Sequence, residues 1–130
     1  MKTKTKELTG LALDWAVAKC EGYTNLRVNP HHWDNALLMD PPRVEYGPVY
    51  LSDIAYSTDW AQGGPILTRE RISRIIDHSG LWVAYWTEGY DDSDEGKQWM
   101  QCDRSELVAG LRCYVASILG DEVEIPGELA

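Results

Sequence analysis

At 130 residues and a net charge of −9, the chain is long enough to close a hydrophobic core without disulfide staples. It is too acidic to offer nucleic acid a basic face, or to favour an anionic membrane surface. No apolar h-region follows the basic start, and no apolar run is long enough to span a bilayer. One domain, 1–130, is expected. Phe is absent, so six Trp and seven Tyr must supply the aromatic packing. The three cysteines, Cys20, Cys102 and Cys113, form no CxxC pair and fit reduced thiols.

Residues 1–8 are basic and polar and are expected to fray. From Leu8 the apolar positions Leu8, Leu11, Ala12, Trp15 and Ala16 fall at helical spacing. A helix over Leu8–Glu21 follows, capped by Thr5 or Thr9 and stopped by Gly22, with Trp15 as a core anchor. Residues 23–48 carry the breakers Asn29-Pro30, Pro41-Pro42 and Gly47-Pro48 and read as irregular, with at most one helical turn over Asn35–Met39. His31-His32-Trp33-Asp34 is the only histidine cluster. Adjacent histidines point apart and no third ligand lies at a usual spacing, so it reads as a surface loop and no metal is expected. Val49–Ile54 reads as a short strand or a helix entry.

The stretch with the most special residue types is Tyr56–Leu67, which sets an acid, an indole and an amide before Gly63-Gly64-Pro65. Two glycines and a proline predict a rigid turn. In that reading Asp59 accepts from the Gly63 and Gly64 amides, and Trp60 either packs beneath the loop or stands out as an anchor. Leu67–Arg71 suits one helical turn. Ile72–Asp77 and Leu81–Trp86 flank His78-Ser79-Gly80 and read as a hairpin. A helix over 68–77 competes, because Ile72, Ile75 and Ile76 also share a helical face. Glu88–Lys97 copies part of a calcium loop with the fifth-position ligand wrong, and reads as solvated acid. Asp103 and Glu106 form a capping box for a final helix, Glu106–Leu119. Its buried stripe is Leu107, Val108, Leu111, Tyr114, Val115 and Ile118, and Gly120 ends it. Asp121–Ile125 reads as an extended tail. The fold class is α+β: a small antiparallel sheet including Ile72–Asp77 and Leu81–Trp86, packed by the N-terminal and C-terminal helices, with long irregular loops.

Three blocks resemble a known family: Leu13–Gly22, Ser57–Ile66, and Leu111–Ser117 with Leu119–Pro126. They are similar to the NinX-like proteins of lambdoid phages and prophages. The resemblance implies a phage or prophage accessory protein in the host bacterial cytoplasm, and supplies no activity and no cofactor. The family often carries an acid just after Ile66. Leu67-Thr68 stand there instead, with Glu70 close by.

No GxSxG, HExxH, P-loop or dinucleotide pattern is present. The site candidates are therefore Asp59, Trp60, Gln62, Gly63, Gly64, Arg69 and Glu70. The primary expectation is a non-enzymatic factor that contacts a host or phage protein. One alternative is a small-ligand or hydrolytic site on Tyr56–Glu70, with Asp59 and Glu70 as acid–base groups and Arg69 or Arg71 for an anion. Another is an acidic decoy of a basic host surface, using Asp91–Glu95 and Asp121–Glu124. A deep pocket would favour a ligand, an outward Trp60 a partner, and side chains spent on internal hydrogen bonds a scaffold.

Overall fold

The computed structural model describes residues 1–29, 36–87 and 98–129. The histidine cluster and the acidic loop lie outside the described residues. Within them the fold is α+β, as expected, with three small antiparallel sheets rather than one. In chain order the strands and α-helices are β1 Lys2–Lys4, α1 Gly10–Cys20, β2 Thr24–Val28, β3 Leu37–Asp40, β4 Val49–Tyr50, α2 Trp60–Arg69, β5 Ser73–Ile76, β6 Trp82–Thr87, β7 Gln98–Asp103, α3 Glu106–Leu119 and β8 Glu122–Glu124.

The chain start is tied down rather than frayed. β1 pairs antiparallel with β8, placing Lys2 opposite Glu124 and Lys4 opposite Glu122. The terminal ammonium bonds Glu124 at 2.9 Å, and Thr5, fully buried, donates its hydroxyl to the Gly120 carbonyl at 2.6 Å. The expected tail over Asp121–Ile125 is thus a strand. Opposite charges on facing strands supply a pairing signal that helical periodicity does not register.

The described residues within 23–48 also hold more order than their breakers suggest. β2, β3 and β4 form a meander, with Leu38 opposite Tyr50 and Arg27 paired to Asp40 at 3.0 Å. Of the helical turn expected over Asn35–Met39, residues 37–39 instead belong to β3, whose Met39 is buried in the core. Pro41 ends β3 and Pro48 precedes β4, so these prolines bound the strands without interrupting them.

The hairpin outcompetes the helix at Ile72–Asp77: β5 pairs with β6 from Ser73–Tyr85 to Ile76–Trp82, and β7 adds to the other edge of β6. Asp77 fixes the turn, its Oδ1 accepting from the Ser79 and Leu81 amides, each at 2.9 Å. The preceding helix is stopped at Arg71, which adopts φ +55°. There the Arg71 amide bonds the Thr68 carbonyl and the Ile72 amide bonds the Leu67 carbonyl, the Schellman pattern. Ile72 is thereby turned into the core.

α3 lies over β6 and β7 and receives α1 and α2 on its flanks. Its cap is Ser105, which accepts from the Val108 amide at 3.2 Å, and not Asp103. Asp103 instead accepts from the Ser105 amide and from Arg112, while Glu106 reaches Arg74 at 2.9 Å. The serine two residues beyond Asp103 was a better-placed cap, so no capping box forms. Gly120 ends α3 as expected. Leu11 and Ile118, assigned to the buried stripes, are half exposed, whereas Arg112 is buried and donates to the carbonyls of Leu8 and Cys102.

Candidate functional site

The predicted turn at Gly63-Gly64-Pro65 is the interior of α2. Neither glycine has a positive φ, so backbone freedom is not what the pair supplies. What matters is the missing Cβ. At Gly63 an added Cβ would lie 2.3 Å from the Tyr56 carbonyl oxygen and 2.8 Å from Leu107, so α2 can press against that loop and α3. At Gly64 it would lie 3.2 Å from the Trp60 ring, one helical turn back. Pro65 is exposed inside α2, where it removes one helical hydrogen bond and its ring crowds the carbonyl of Ala61, four residues back.

Asp59 is the N-cap of α2, its Oδ1 accepting from the Ala61 amide at 2.9 Å. It does not lock the Gly63 and Gly64 amides. The Gln62 side chain reaches back over the same end: its Oε1 accepts from the Ala55 amide at 3.0 Å, and its Nε2 donates to the Asp53 carbonyl and Asp59, each at 3.3 Å. These bonds satisfy helix-start and loop groups that would otherwise lack partners. Trp60 makes no such commitment and leaves 48% of its surface exposed.

Arg69 and Glu70 occupy the other end of α2, roughly 15 Å along the axis from the cap. Arg69 clasps Glu21, at the end of α1, through two bonds of 2.9 and 2.6 Å, and also bonds Glu70 at 2.9 Å. The Tyr114 hydroxyl, from α3, donates to the same Glu21 carboxylate at 2.5 Å. Burial alone would raise the Glu21 carboxyl, but hydrogen bonds from Arg69 and Tyr114 outweigh it and hold it below its usual range. The hydrogen bond to Glu21 raises the Arg69 guanidinium in return. Burial and the Glu21 charge both push the Tyr114 phenol up.

The proposed residues therefore fall into two groups. Asp59, Trp60, Gln62, Gly63 and Gly64 share the start and middle of α2, while Arg69 and Glu70 join a cluster with Glu21 and Tyr114. Asp59 and Glu70 are too far apart to share a substrate proton. The sequence reading missed Glu21, Tyr114 and a third partner pair: buried Asp14 accepts the Ser57 amide at 2.8 Å, joining α1 to the loop before α2. Burial pushes the Asp14 carboxyl up, against the lowering effect of that amide. The missed signal was placement: Asp14, Glu21, Ser57 and Tyr114 all stand in the three familiar blocks.

Among the described residues no group of three or more His, Cys, Asp or Glu could hold a metal. Cys20 and Cys113 have thiols pushed up to about 12, chiefly by burial, which disfavours the thiolate a nucleophile needs. No helix among the described residues is long and apolar enough to cross a membrane.

A small α+β protein whose distinctive blocks meet where three helices lock together is the class this geometry defines. Residues 4–118 match the family described as Bacteriophage P22, NinX, and the chain belongs to that family. No curated protein matches it.

Proposed function

We propose that this phage-family protein is a non-enzymatic accessory factor that works by contacting a host or phage protein in the host cytoplasm. The contact surface is the outer face of α2, where Trp60, Ala61, Pro65 and Thr68 are all exposed and none is charged. The observation that carries this reading is Trp60, half exposed on a helix whose polar neighbours Asp59 and Gln62 are spent on internal bonds. Those bonds hold the indole on a rigid support, and a large aromatic group offered at low entropic cost is what interface hot spots are made of.

The ligand or hydrolytic alternative on Tyr56–Glu70 has less support, because its acids stand at opposite ends of α2. The decoy alternative is weakened on one side, since Glu124 is paired with the terminal ammonium at 2.9 Å and faces Lys2 across the β1–β8 pair. Salt separates the two protein-binding readings. A contact centred on an uncharged face loses little affinity as salt rises, whereas an acidic decoy loses much.

Affinity capture of the full chain from phage-infected cells, at low and at moderate salt, tests the proposal. Trp60→Ala is expected to lower recovery of the captured partner about tenfold, as loss of an aromatic anchor does. Equal recovery by both proteins would remove Trp60 from the contact, and steep salt loss would favour the decoy.

A further inference from the structure

Away from α2, an open cleft of about 290 Å³ lies between the β1–β8 ribbon and the edge strand β7, lined by Lys4, Lys6, Gln101, Asp121 and Glu122. Gln101 marks it as more than a crease between charged side chains. In the β5–β6–β7 register Gln101 lies in line with Ala84 and Arg74, on the core side of the sheet. Ala84 is fully buried, and Arg74 is bonded to Glu106 and to the Ile72 carbonyl. Gln101 is only 9% exposed, yet its Oε1 is buried with no hydrogen-bond partner among the described residues. Buried carboxamides rarely go unpartnered. The terminal torsion of glutamine is broad and two-fold, so the group can turn either its oxygen or its NH2 toward the cleft.

The rim adds charge of both signs. Lys4, Lys6, Asp121 and Glu122 are all exposed, and none forms an ion pair among the described residues. Lys4 and Glu122 are register partners, yet their charged tips do not meet. Two uncommitted ammonium groups, two uncommitted carboxylates and a carboxamide whose oxygen has no partner thus line one small space.

We infer that this cleft binds a small amino-carboxylate zwitterion. Lys4 and Lys6 attract its carboxylate, Asp121 and Glu122 its ammonium, and Gln101 takes a hydrogen bond from the floor. The two sources of that chemistry are a free amino acid and the ends of a short unblocked peptide. The site is separate from α2, and its test does not depend on the Trp60 contact.

Amide NMR spectra of the labelled full chain, titrated with glycine, glycylglycine, N-acetylglycylglycine and glycylglycinamide, supply that test. Glycine or glycylglycine is expected to shift the Gln101 side-chain NH2 signals saturably, with a Kd of about 1 mM. The stronger of the two identifies the source. Blocking either end should weaken binding about tenfold, since each removes one charge-assisted contact. In Gln101→Leu the backbone amides of Lys4, Lys6, Asp121 and Glu122, which line the same cleft, should no longer respond to the ligand, with the amide signals of α3 and β6 unmoved by the substitution. The exposed double variant Lys4→Ser, Lys6→Ser gives the same answer if Gln101→Leu does not fold. Blocked and free probes binding alike would overturn the inference. So would an unsaturated response at about 50 mM, or wild-type binding by the lysine variant.

Discussion

The tripeptide Asp-Trp-Ala occurs twice, at 14–16 and at 59–61, with opposite outcomes. In α1 all three residues are buried, Trp15 at 5% exposure. At the start of α2 Trp60 keeps 48% of its surface exposed. The cause is helix phase. Asp14 lies inside α1, where its carboxylate reaches sideways to the Ser57 amide. Asp59 lies one residue before α2 and turns its carboxylate onto its own helix. The same three side chains therefore become a core joint in one place and a capped, outward indole in the other. Identity of residues fixes neither burial nor role; position relative to the cap does.

Truncating the two indoles is the widest break in that comparison. Trp15→Ala is expected to cost about 3–5 kcal/mol, the loss for a large buried aromatic. Trp60→Ala should cost about 1–2 kcal/mol, because about half of its area already faces water. Urea denaturation of both variants measures the difference, and equal losses would mean that Trp60 is a core residue after all.

The adjacent glycines sharpen the same point at smaller scale. Gly63→Ala drives a Cβ against the Tyr56 backbone oxygen and should cost about 1–3 kcal/mol. Gly64→Ala meets only the edge of the half-exposed Trp60 ring, and its better helix propensity offsets the crowding to within about 1 kcal/mol. A reversed order in thermal melts would contradict the packing described for α2.

Two carboxylates of α1 make a comparison in pH. Asp14 titrates higher in the fold than its ordinary 3.8, so the folded state holds its proton longer. Its contribution is fully present below 3.8 and is lost as pH rises through the raised folded value. Glu21 titrates below its ordinary 4.5, and its contribution is present above 4.5 and lost as pH falls toward the depressed value. Stability differences between wild type and Asp14→Asn should therefore shrink with rising pH, and those against Glu21→Gln should grow. The Glu21 effect stays below about 1 kcal/mol, since Arg69 is half exposed and solvent screens the pair. Parallel pH trends for the two variants would sink this assignment.

What the sequence made legible followed from period and punctuation. The α1 and α3 helices, most of their buried stripes (Leu11 and Ile118 excepted), the Gly22 and Gly120 stops and the β5–β6 hairpin are local patterns that the fold contains. What escaped depends on groups far apart in the chain. The β1–β8 pair joins residues more than a hundred positions apart, and the Asp14–Ser57 and Glu21–Arg69–Tyr114 contacts exist only once three helices meet. The misread glycines show a further limit: a Gly-Gly-Pro string signals freedom of backbone angle, whereas close approach, the use found here, leaves the same letters.

The helix ends give the smallest and sharpest comparison. α1 and α2 finish in the same Schellman pattern, the Tyr23 amide bonding the Ala18 carbonyl in one and the Ile72 amide bonding the Leu67 carbonyl in the other. The left-handed position is Gly22 at φ +98° in α1 and Arg71 at φ +55° in α2. A side chain there costs about 1–2 kcal/mol, which glycine avoids at the expense of a more flexible unfolded chain. Arg71 forms no salt bridge or side-chain hydrogen bond among the described residues, so little is lost by removing it. Arg71→Gly should then stabilise the protein by about 0.5–1 kcal/mol, read as a higher urea midpoint with unchanged slope. A lower midpoint would mean that the arginine repays its strained angle through a contact of its own, and that the two helix ends are alike only in outline.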